Sequence, residues 1–160
     1  DPHYLYWKAK KKGIKANFIK LSAETNFAVI SFIQKKITTI LKVSKIKKNS
    51  SKILILGIAY KKNVDDLRES ASINLIKKLQ KDKYKNIEYS DPYIKDTILT
   101  REFRFNKKSL NLNPRNLKKF DIVIVMTDHD KFDYKMIYEN SQTIIDCRGR
   151  YSVDHKVYRA

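Results

Sequence analysis

Short apolar runs that alternate with helix-like segments are the feature that most constrains the fold of this 160-residue chain. Four such runs lie at 52–57, 87–91, 121–128 and 142–147. Three of them are nearly continuous in apolar residues, which is typical of strands buried on both faces of a parallel sheet. Between the first two runs, Ile73, Ile76 and Leu79 recur at the spacing of one helical face. The alternation predicts an α/β fold with a mostly parallel sheet and flanking helices.

Two helices are predicted ahead of the first strand. The first covers residues 2–12, because Pro2 suits the first helical turn and Gly13 suits a helix end. The second runs from about residue 22 to about residue 46 and carries an apolar stripe at spacings of three and four. The stripe consists of Phe27, Ile30, Ile33, Ile37, Ile40 and Leu41. We interpret it as core or as the contact of a dimer, and the polar stretch 45–51 as a domain boundary.

The formal net charge of +18 suggests a partner of negative charge. A basic nucleic-acid-binding module is one hypothesis, and it predicts binding that weakens steeply with salt. However, the lysines are spread over nearly every segment, and the chain has neither an arginine-rich block nor the aromatic signature of RNA-binding domains. We therefore expect small anionic ligands such as nucleotides rather than nucleic acid.

The cysteine, histidine and apolar residues limit which other kinds of site and of cellular location are expected. Cys147 is the one cysteine, so neither an internal disulfide nor a multi-thiolate metal site is predicted. The three histidines share no metal-ligand spacing, and no metal site is expected. No apolar stretch reaches the roughly 18 residues needed to span a bilayer, and the first residues do not resemble a signal peptide. The expected location is a reducing cytoplasm, without membrane contact.

Polar and charged side chains follow each predicted strand. Ligands in open α/β sheets lie beyond the carboxyl ends of the strands, so these side chains predict a binding site. The loop after the first strand cannot form a glycine-rich phosphate loop, because the chain has three glycines in all and this loop has Gly57 alone. It offers cations instead. Lys61 and Lys62 can act as point charges on a diphosphate, and Arg68 can donate two parallel hydrogen bonds to a phosphate.

The segment 57–73, GIAYKKNVDDLRESASI, resembles the signature of the UDP-glucose/GDP-mannose dehydrogenase family, the nucleotide-sugar 6-dehydrogenases. Four further segments resemble motifs of this family in the same order along the chain: DPHYLYWKAKKKGI at 1–14, YSDPYI at 89–94, VMTDHDKF at 125–132 and IIDCRGR at 144–150. The resemblance implies a Rossmann-like, UDP-sugar-binding C-terminal domain at 49–160. Residues 1–48 would then be the end of the catalytic core and the long helix of the central dimerisation region.

The resemblance also implies roles for individual residues. Tyr60 and Lys61 match residues that contact the nucleotide-sugar substrate, and Arg148 matches an arginine that contacts its nucleotide part. Arg68 matches an arginine that reaches NAD bound in another domain. Asp1 matches an aspartate that assists the catalytic steps next to the family's nucleophilic cysteine.

By this resemblance, the whole enzyme oxidises the C6 alcohol of a nucleotide-bound sugar to a carboxylate with NAD as cofactor. The motifs are most similar to the branch that acts on UDP-N-acetylhexosamines, with UDP-glucose or GDP-mannose as the alternative substrates. The implied setting is bacterial surface-polysaccharide biosynthesis by a homodimer joined through the long helix. The NAD-binding domain and the catalytic cysteine are absent from this chain, and Cys147 is interpreted as a small buried side chain. We therefore expect this chain alone to be inactive as a dehydrogenase.

Overall fold

The computed structural model describes residues 2–96 and 105–160. The helices are α1 Pro2–Lys11, α2 Asn17–Val43, α3 Ala71–Lys81, α4 Pro114–Leu117 and α5 Tyr134–Asn140. The strands are β1 Lys52–Leu56, β2 Asn86–Ser90, β3 Ile122–Val125, β4 Ile144–Asp146 and β5 Val157–Arg159. Helices and strands alternate from β1 to β4, as the apolar runs predict.

The five strands form one sheet in the order β2-β1-β3-β4-β5. Every neighbouring pair of strands is parallel. The prediction of a Rossmann-like, mostly parallel sheet with flanking helices is therefore confirmed. The chain steps from β1 outward to β2 on one side and continues with β3 on the other. This change of direction creates a topological switch point between β1 and β3, and ligands of open α/β sheets bind at the carboxyl side of such a point.

The sheet is covered on both faces, which explains the continuous apolar runs. In β1, Ile53 and Ile55 join a buried cluster with residues of α2 and α3, while Leu54 and Leu56 join a second cluster with residues of α4 and α5. Successive side chains of a strand point to opposite faces, so each face receives every second residue. A central sheet with helices on both sides follows.

The apolar stripe of α2 belongs to the core of this same chain. Ile30, Ile33, Ile37, Ile40 and Leu41 are buried in the cluster that contains β1 and α3. The side chain of Phe27 lies outside the described residues. A dimer seam through Ile33 and Ile37 is therefore wrong, because both side chains are already covered by the chain's own sheet.

A different face of α2 is apolar and exposed. Its large apolar side chains in the first two thirds of the helix are Phe18, Leu21, Val29 and Phe32. They recur at helical spacing and form an exposed strip beside the buried stripe, since Val29 lies one turn before Ile33. Although α2 has 27 residues, no helix in the described part of the chain is both long and apolar enough to cross a membrane.

Helix ends follow local signals where the sequence offers them. Asn113 Oδ1 accepts from the Asn116 amide at 2.9 Å with Pro114 in the first turn of α4. Ser70 Oγ accepts from the Ile73 amide at 3.4 Å and donates to the Ile58 carbonyl at 2.6 Å. The starts of α3 and α4 are thus held by the side chain that precedes the first residue, whereas the start of α2 has no side-chain cap.

Candidate functional site at the switch point

The loop after β1 lies directly on the end of β3. Gly57 has a φ of +76°, and a Cβ added there would lie 2.3 Å from the Thr127 carbonyl oxygen. Glycine is required here both for its backbone conformation and for the lack of a side chain. Thr127 Oγ1 donates to the Ala59 carbonyl at 2.8 Å, which is a second contact between the loop after β1 and the loop after β3. The switch point between β1 and β3 is therefore tightly packed, without a glycine-rich loop.

A buried carboxylate at the end of β2 organises the start of this loop. Asp91 is 3% exposed. Its Oδ2 accepts from the amides of Ile58 and Ala59 at 2.8 and 3.2 Å. Its Oδ1 accepts from the amides of Tyr93 and Ile94 at 2.9 and 3.1 Å. Four backbone N–H groups from two loops thus donate to one side chain. Asp91 supplies the acceptors that a neighbouring strand would supply within the sheet.

His129, from the loop after β3, completes this buried group. Its ring is fully buried, with Nε2 3.1 Å from Asp91 Oδ2 and Nδ1 2.9 Å from the Asn63 amide nitrogen. Because the Asn63 N–H can only donate, Nδ1 must accept, and the ring proton then lies on Nε2 and is donated to Asp91. Burial by itself raises the pKa of Asp91. The hydrogen bonds from His129, Tyr93 and Ile58 outweigh burial and hold that pKa below its usual range.

Residues 60–62, which we call the arch, lie between these anchored points. Tyr60 is 51% exposed, and its amide donates to the Asp66 carbonyl at 2.7 Å. Lys62 forms an ion pair with Asp130 at 2.7 Å. Lys61 is exposed and makes no hydrogen bond or ion pair with any described residue. The arch thus presents one free cation and one exposed aromatic ring beside the switch point.

Asn63 fixes the end of the arch to the loop after β3. Its φ is +60°, a conformation that asparagine tolerates better than most residues. Its Nδ2 donates to Asp130 Oδ2 at 2.6 Å, and its Oδ1 accepts from the Asp130 amide at 3.0 Å. These two bonds join the loops after β1 and β3 in addition to the contact with His129.

Arg148 lies at the same edge of the sheet, after β4. Its Nε donates to the Met126 carbonyl at 2.6 Å, so the guanidinium lies against the end of β3. The turn that carries it is built on Asp146, whose Oδ1 accepts from the amides of Arg148 and Gly149 at 2.9 Å each. The structure therefore places Tyr60, Lys61 and Arg148 on the two sides of β3, at its carboxyl end.

The residue predicted for cofactor contact, Arg68, is on the outer part of the loop. Its side chain is 89% exposed and donates to both carboxylate oxygens of Asp66. Hydrogen bonds from Arg68 lower the pKa of Asp66 to about 2. No dinucleotide-binding glycine motif accompanies it, so the residues present do not form an NAD site by themselves. Asp1, predicted as catalytic, lies outside the described residues.

The surroundings of Cys147 do not favour a reactive thiolate. Burial, followed by the charge of Asp146, raises the pKa of its thiol to about 12. A thiol that stays protonated at neutral pH reacts slowly. Its side chain is half-buried, not fully buried as interpreted from the sequence, and packs against the cluster around β1. No group of three potential metal ligands occurs among the described residues.

A cavity of about 670 Å³ is lined by none of the predicted substrate residues. It is lined by 14 residues of the ends of β2 and β3, of 108–112 and of α5, and it shares Asp91 with the buried group. Three lysines and three aspartates line it, so its charges balance. The arch has instead a lysine, Lys61, without an ion pair among the described residues, which is the kind of group that binds a diphosphate.

The comparison with known proteins agrees with the motifs. Residues 54–153 match the UDP-glucose/GDP-mannose dehydrogenase family, UDP binding domain. The UDP-N-acetyl-D-mannosamine dehydrogenase of Methanocaldococcus jannaschii is 30% identical over 132 residues, which cover 82% of this chain and 26% of that protein. The protein of the same name in Campylobacter jejuni is 31% identical over 136 residues, covering 82% of this chain and 30% of that protein.

Solved structures agree on the fold. The UDP-D-ManNAc dehydrogenase of Pyrococcus horikoshii superposes with a TM-score of 0.75 at 20% identity, over 99% of this chain and 36% of that one. This chain spans between a quarter and a third of the length of the curated relatives named above. The family match covers more than half of the chain, including both sides of the switch point. The chain belongs to the UDP-glucose/GDP-mannose dehydrogenase family and contains its UDP-binding domain.

Proposed function

We propose that this chain is the UDP-sugar-binding part of an NAD-dependent nucleotide-sugar 6-dehydrogenase that acts on a UDP-N-acetylhexosamine. The observation that supports it best is the free cation of Lys61 on an arch that is anchored at the switch point. Two relatives named UDP-N-acetyl-D-mannosamine dehydrogenase support the choice of sugar over UDP-glucose or GDP-mannose.

The binding mode follows from the charges at the sheet edge. The ammonium group of Lys61 is proposed to bind the diphosphate, and the Arg148 guanidinium to add hydrogen bonds to the nucleotide part. The exposed ring of Tyr60 would pack beside the ribose or the base. The net charge of +18 favours the approach of an anionic ligand to any part of this surface.

The oxidation itself is proposed for the whole protein. NAD supplies the hydride acceptor there, Arg68 would reach it from this chain, and Asp1 would assist proton transfer next to a cysteine outside these residues. We propose a cytoplasmic enzyme of bacterial surface-polysaccharide biosynthesis. The division into 1–48 and 49–160 is part of the same proposal, and the chain alone is expected to bind substrate without oxidising it.

Replacing Lys61 by alanine is expected to weaken binding of UDP-N-acetylglucosamine, used as the probe, by about 10- to 100-fold. A hydrogen bond to a charged group contributes about 1.5–3 kcal/mol, which sets this range. Isothermal titration calorimetry measures the affinity of both proteins. Lys85→Ala is the matched control, because it removes the same charge from an exposed position next to the start of β2, at the opposite edge of the sheet.

An equal loss of affinity in the Lys61 and Lys85 variants would show that general charge attracts the ligand and that the arch is not its site. The nucleic-acid hypothesis is tested in the same series with short duplex DNA. If DNA stabilises the protein against heat in a salt-sensitive manner while the UDP-sugar does not, the binding-module hypothesis replaces the present one.

The partner proposed for the exposed face of α2 is a second copy of the chain. Phe32→Glu is expected to shift the protein from dimer to monomer, because it places a charge in the apolar face formed by Phe18, Leu21, Val29 and Phe32. Size-exclusion chromatography with light scattering measures the mass. Asn26→Glu is the control, because it adds a carboxylate at an exposed position of α2 outside that face. A dimer that persists in the Phe32 variant would exclude this contact.

A further inference from the structure

Both ends of the arch are held by one buried pair of side chains. At the start, the Ile58 and Ala59 amides donate to Asp91 Oδ2. At the end, the Asn63 amide donates to His129 Nδ1. The two anchors are joined directly, because His129 Nε2 lies 3.1 Å from the same Asp91 oxygen. The backbone on both sides of Lys61 is thus held by two buried side chains.

The arch itself contributes few restraints. Tyr60 and Lys61 are exposed, and Lys62 is bound to Asp130 at the surface. Fixing the backbone of a residue costs about 1–2 kcal/mol of conformational entropy. A loop that is ordered before the ligand arrives does not lose this free energy on binding. Anchors at both ends therefore matter for affinity as well as for stability.

The two hydrogen bonds of the His129 imidazole require one tautomer, with the proton on Nε2. A neutral ring with its proton on Nε2 donates to Asp91 and accepts from Asn63 at the same time. The rings of Tyr93 and Phe132 lie 5.1 and 5.6 Å from it, centre to centre, and hold its plane. The His129 carbonyl in turn accepts from the Tyr134 hydroxyl at 2.9 Å. Ring and backbone of His129 are both fixed.

We propose that His129 is a positioning residue for the anion-binding arch. Its Nδ1 accepts the hydrogen bond of the Asn63 backbone amide at the far end of the arch, and so holds Lys61 where a diphosphate binds. This role rests on the proposed function for its ligand. It adds a residue that the binding site needs although the residue touches no substrate.

Two amide substitutions separate the two bonds of the imidazole. The side-chain oxygen of His129→Asn occupies about the position of Nδ1 and can accept from Asn63, but it cannot reach Asp91. The side-chain nitrogen of His129→Gln occupies about the position of Nε2 and can donate to Asp91, but it leaves the Asn63 amide without an acceptor. Both lose the ring contacts with Tyr93 and Phe132.

The expected result is a difference in affinity between variants of similar stability. His129→Asn should bind UDP-N-acetylglucosamine within about threefold of wild type, and His129→Gln about tenfold or more weaker, since a lost buried hydrogen bond to a backbone group has effects of that size. Calorimetry measures the affinity and thermal unfolding the stability. Equal affinities in the two variants, or a loss that follows stability alone, would overturn the positioning role.

Amide hydrogen exchange tests the anchor without ligand and without a variant. In wild type, the Asn63 amide should exchange more slowly than the Lys61 amide, because only the former has a buried acceptor among the described residues. In His129→Gln this protection should be lost. Equal exchange at the two positions in wild type would refute the anchor. Protection at Asn63 without any binding of the UDP-sugar would refute the proposed function and leave the anchor standing.

Discussion

Gly57→Ala is expected to destabilise this chain by about 3 kcal/mol or more. The new Cβ would lie 2.3 Å from the Thr127 carbonyl oxygen and 2.6 Å from the Thr127 Cβ. Neither atom can turn away, because the Thr127 hydroxyl is bonded to the Ala59 carbonyl and the Thr127 amide to the Leu56 carbonyl. Overpacking of this kind costs about 1–3 kcal/mol, and a side chain at positive φ adds about 1 kcal/mol.

Gly13→Ala is the control that separates the two contributions. Gly13 has a similar φ of +71°, but nothing lies within 4 Å of a Cβ added there. Its cost should therefore be the conformational one alone, about 1 kcal/mol or less. Urea unfolding followed by circular dichroism measures both variants. Equal losses at the two glycines would mean that the loop after β1 moves away from β3 at little cost.

The first four strands, β1 to β4, and the starts of α3 and α4 could be predicted because their signals are local. Continuous apolar runs mark strands buried on both faces, and Asn113 with Pro114 is sufficient to start α4. β5 was missed because it has three residues, two of them exposed, and depends on pairing with β4. α5, which also was not predicted, begins after Asp133, whose Oδ1 accepts from the Met136 amide at 2.9 Å. That capping pattern was available in the sequence.

The second helix shows how periodicity identifies a face without identifying its partner. The stripe through Ile33 and Ile37 was recognised as an apolar face, yet sequence left core and dimer open, and the sheet of the same chain covers it. The predicted start near residue 22 was too late by one turn and a half. Phe18 and Leu21 lie on the exposed apolar face, outside the stripe that was used to define the helix.

The sequence predicts which edge of the sheet carries the candidate site. It does not predict the hydrogen bonds that organise the site. Asp91 and His129 belong to the polar residues that follow the second and third predicted strands, and the small number of glycines excluded a glycine-rich phosphate loop. Their joint role depends on contacts between residues 66 and 38 positions apart, which only the strand order brings together. The substrate roles of Tyr60, Lys61 and Arg148 and the cofactor role of Arg68 stay predictions that rest on family resemblance.

Asp91→Asn is expected to cost about 3–5 kcal/mol of folding free energy at neutral pH. The carboxylate accepts from four backbone amides and from His129, whereas an amide has one accepting oxygen and two N–H donors that would face other donors. Breaking a buried charged network by changing one partner has effects of this size. Asp121→Asn is the control, because Asp121 Oδ2 accepts from one backbone amide, that of Lys52, and an asparagine oxygen can do the same.

The difference in stability between wild type and Asp91→Asn should shrink in acid. Hydrogen bonds from His129 and the backbone overcome burial and hold the folded-state pKa of Asp91 below its ordinary 3.8. A carboxylate with a lowered pKa in the folded state contributes its full stability above the unfolded pKa and loses it as pH falls through the folded pKa. Asparagine does not titrate, so groups common to both proteins cancel in the difference. Urea unfolding from about pH 7 to about pH 3 measures it. A difference that stays constant, or that grows as pH falls, would show that Asp91 is not held as the ionised acceptor of the arch and that packing alone explains the loss.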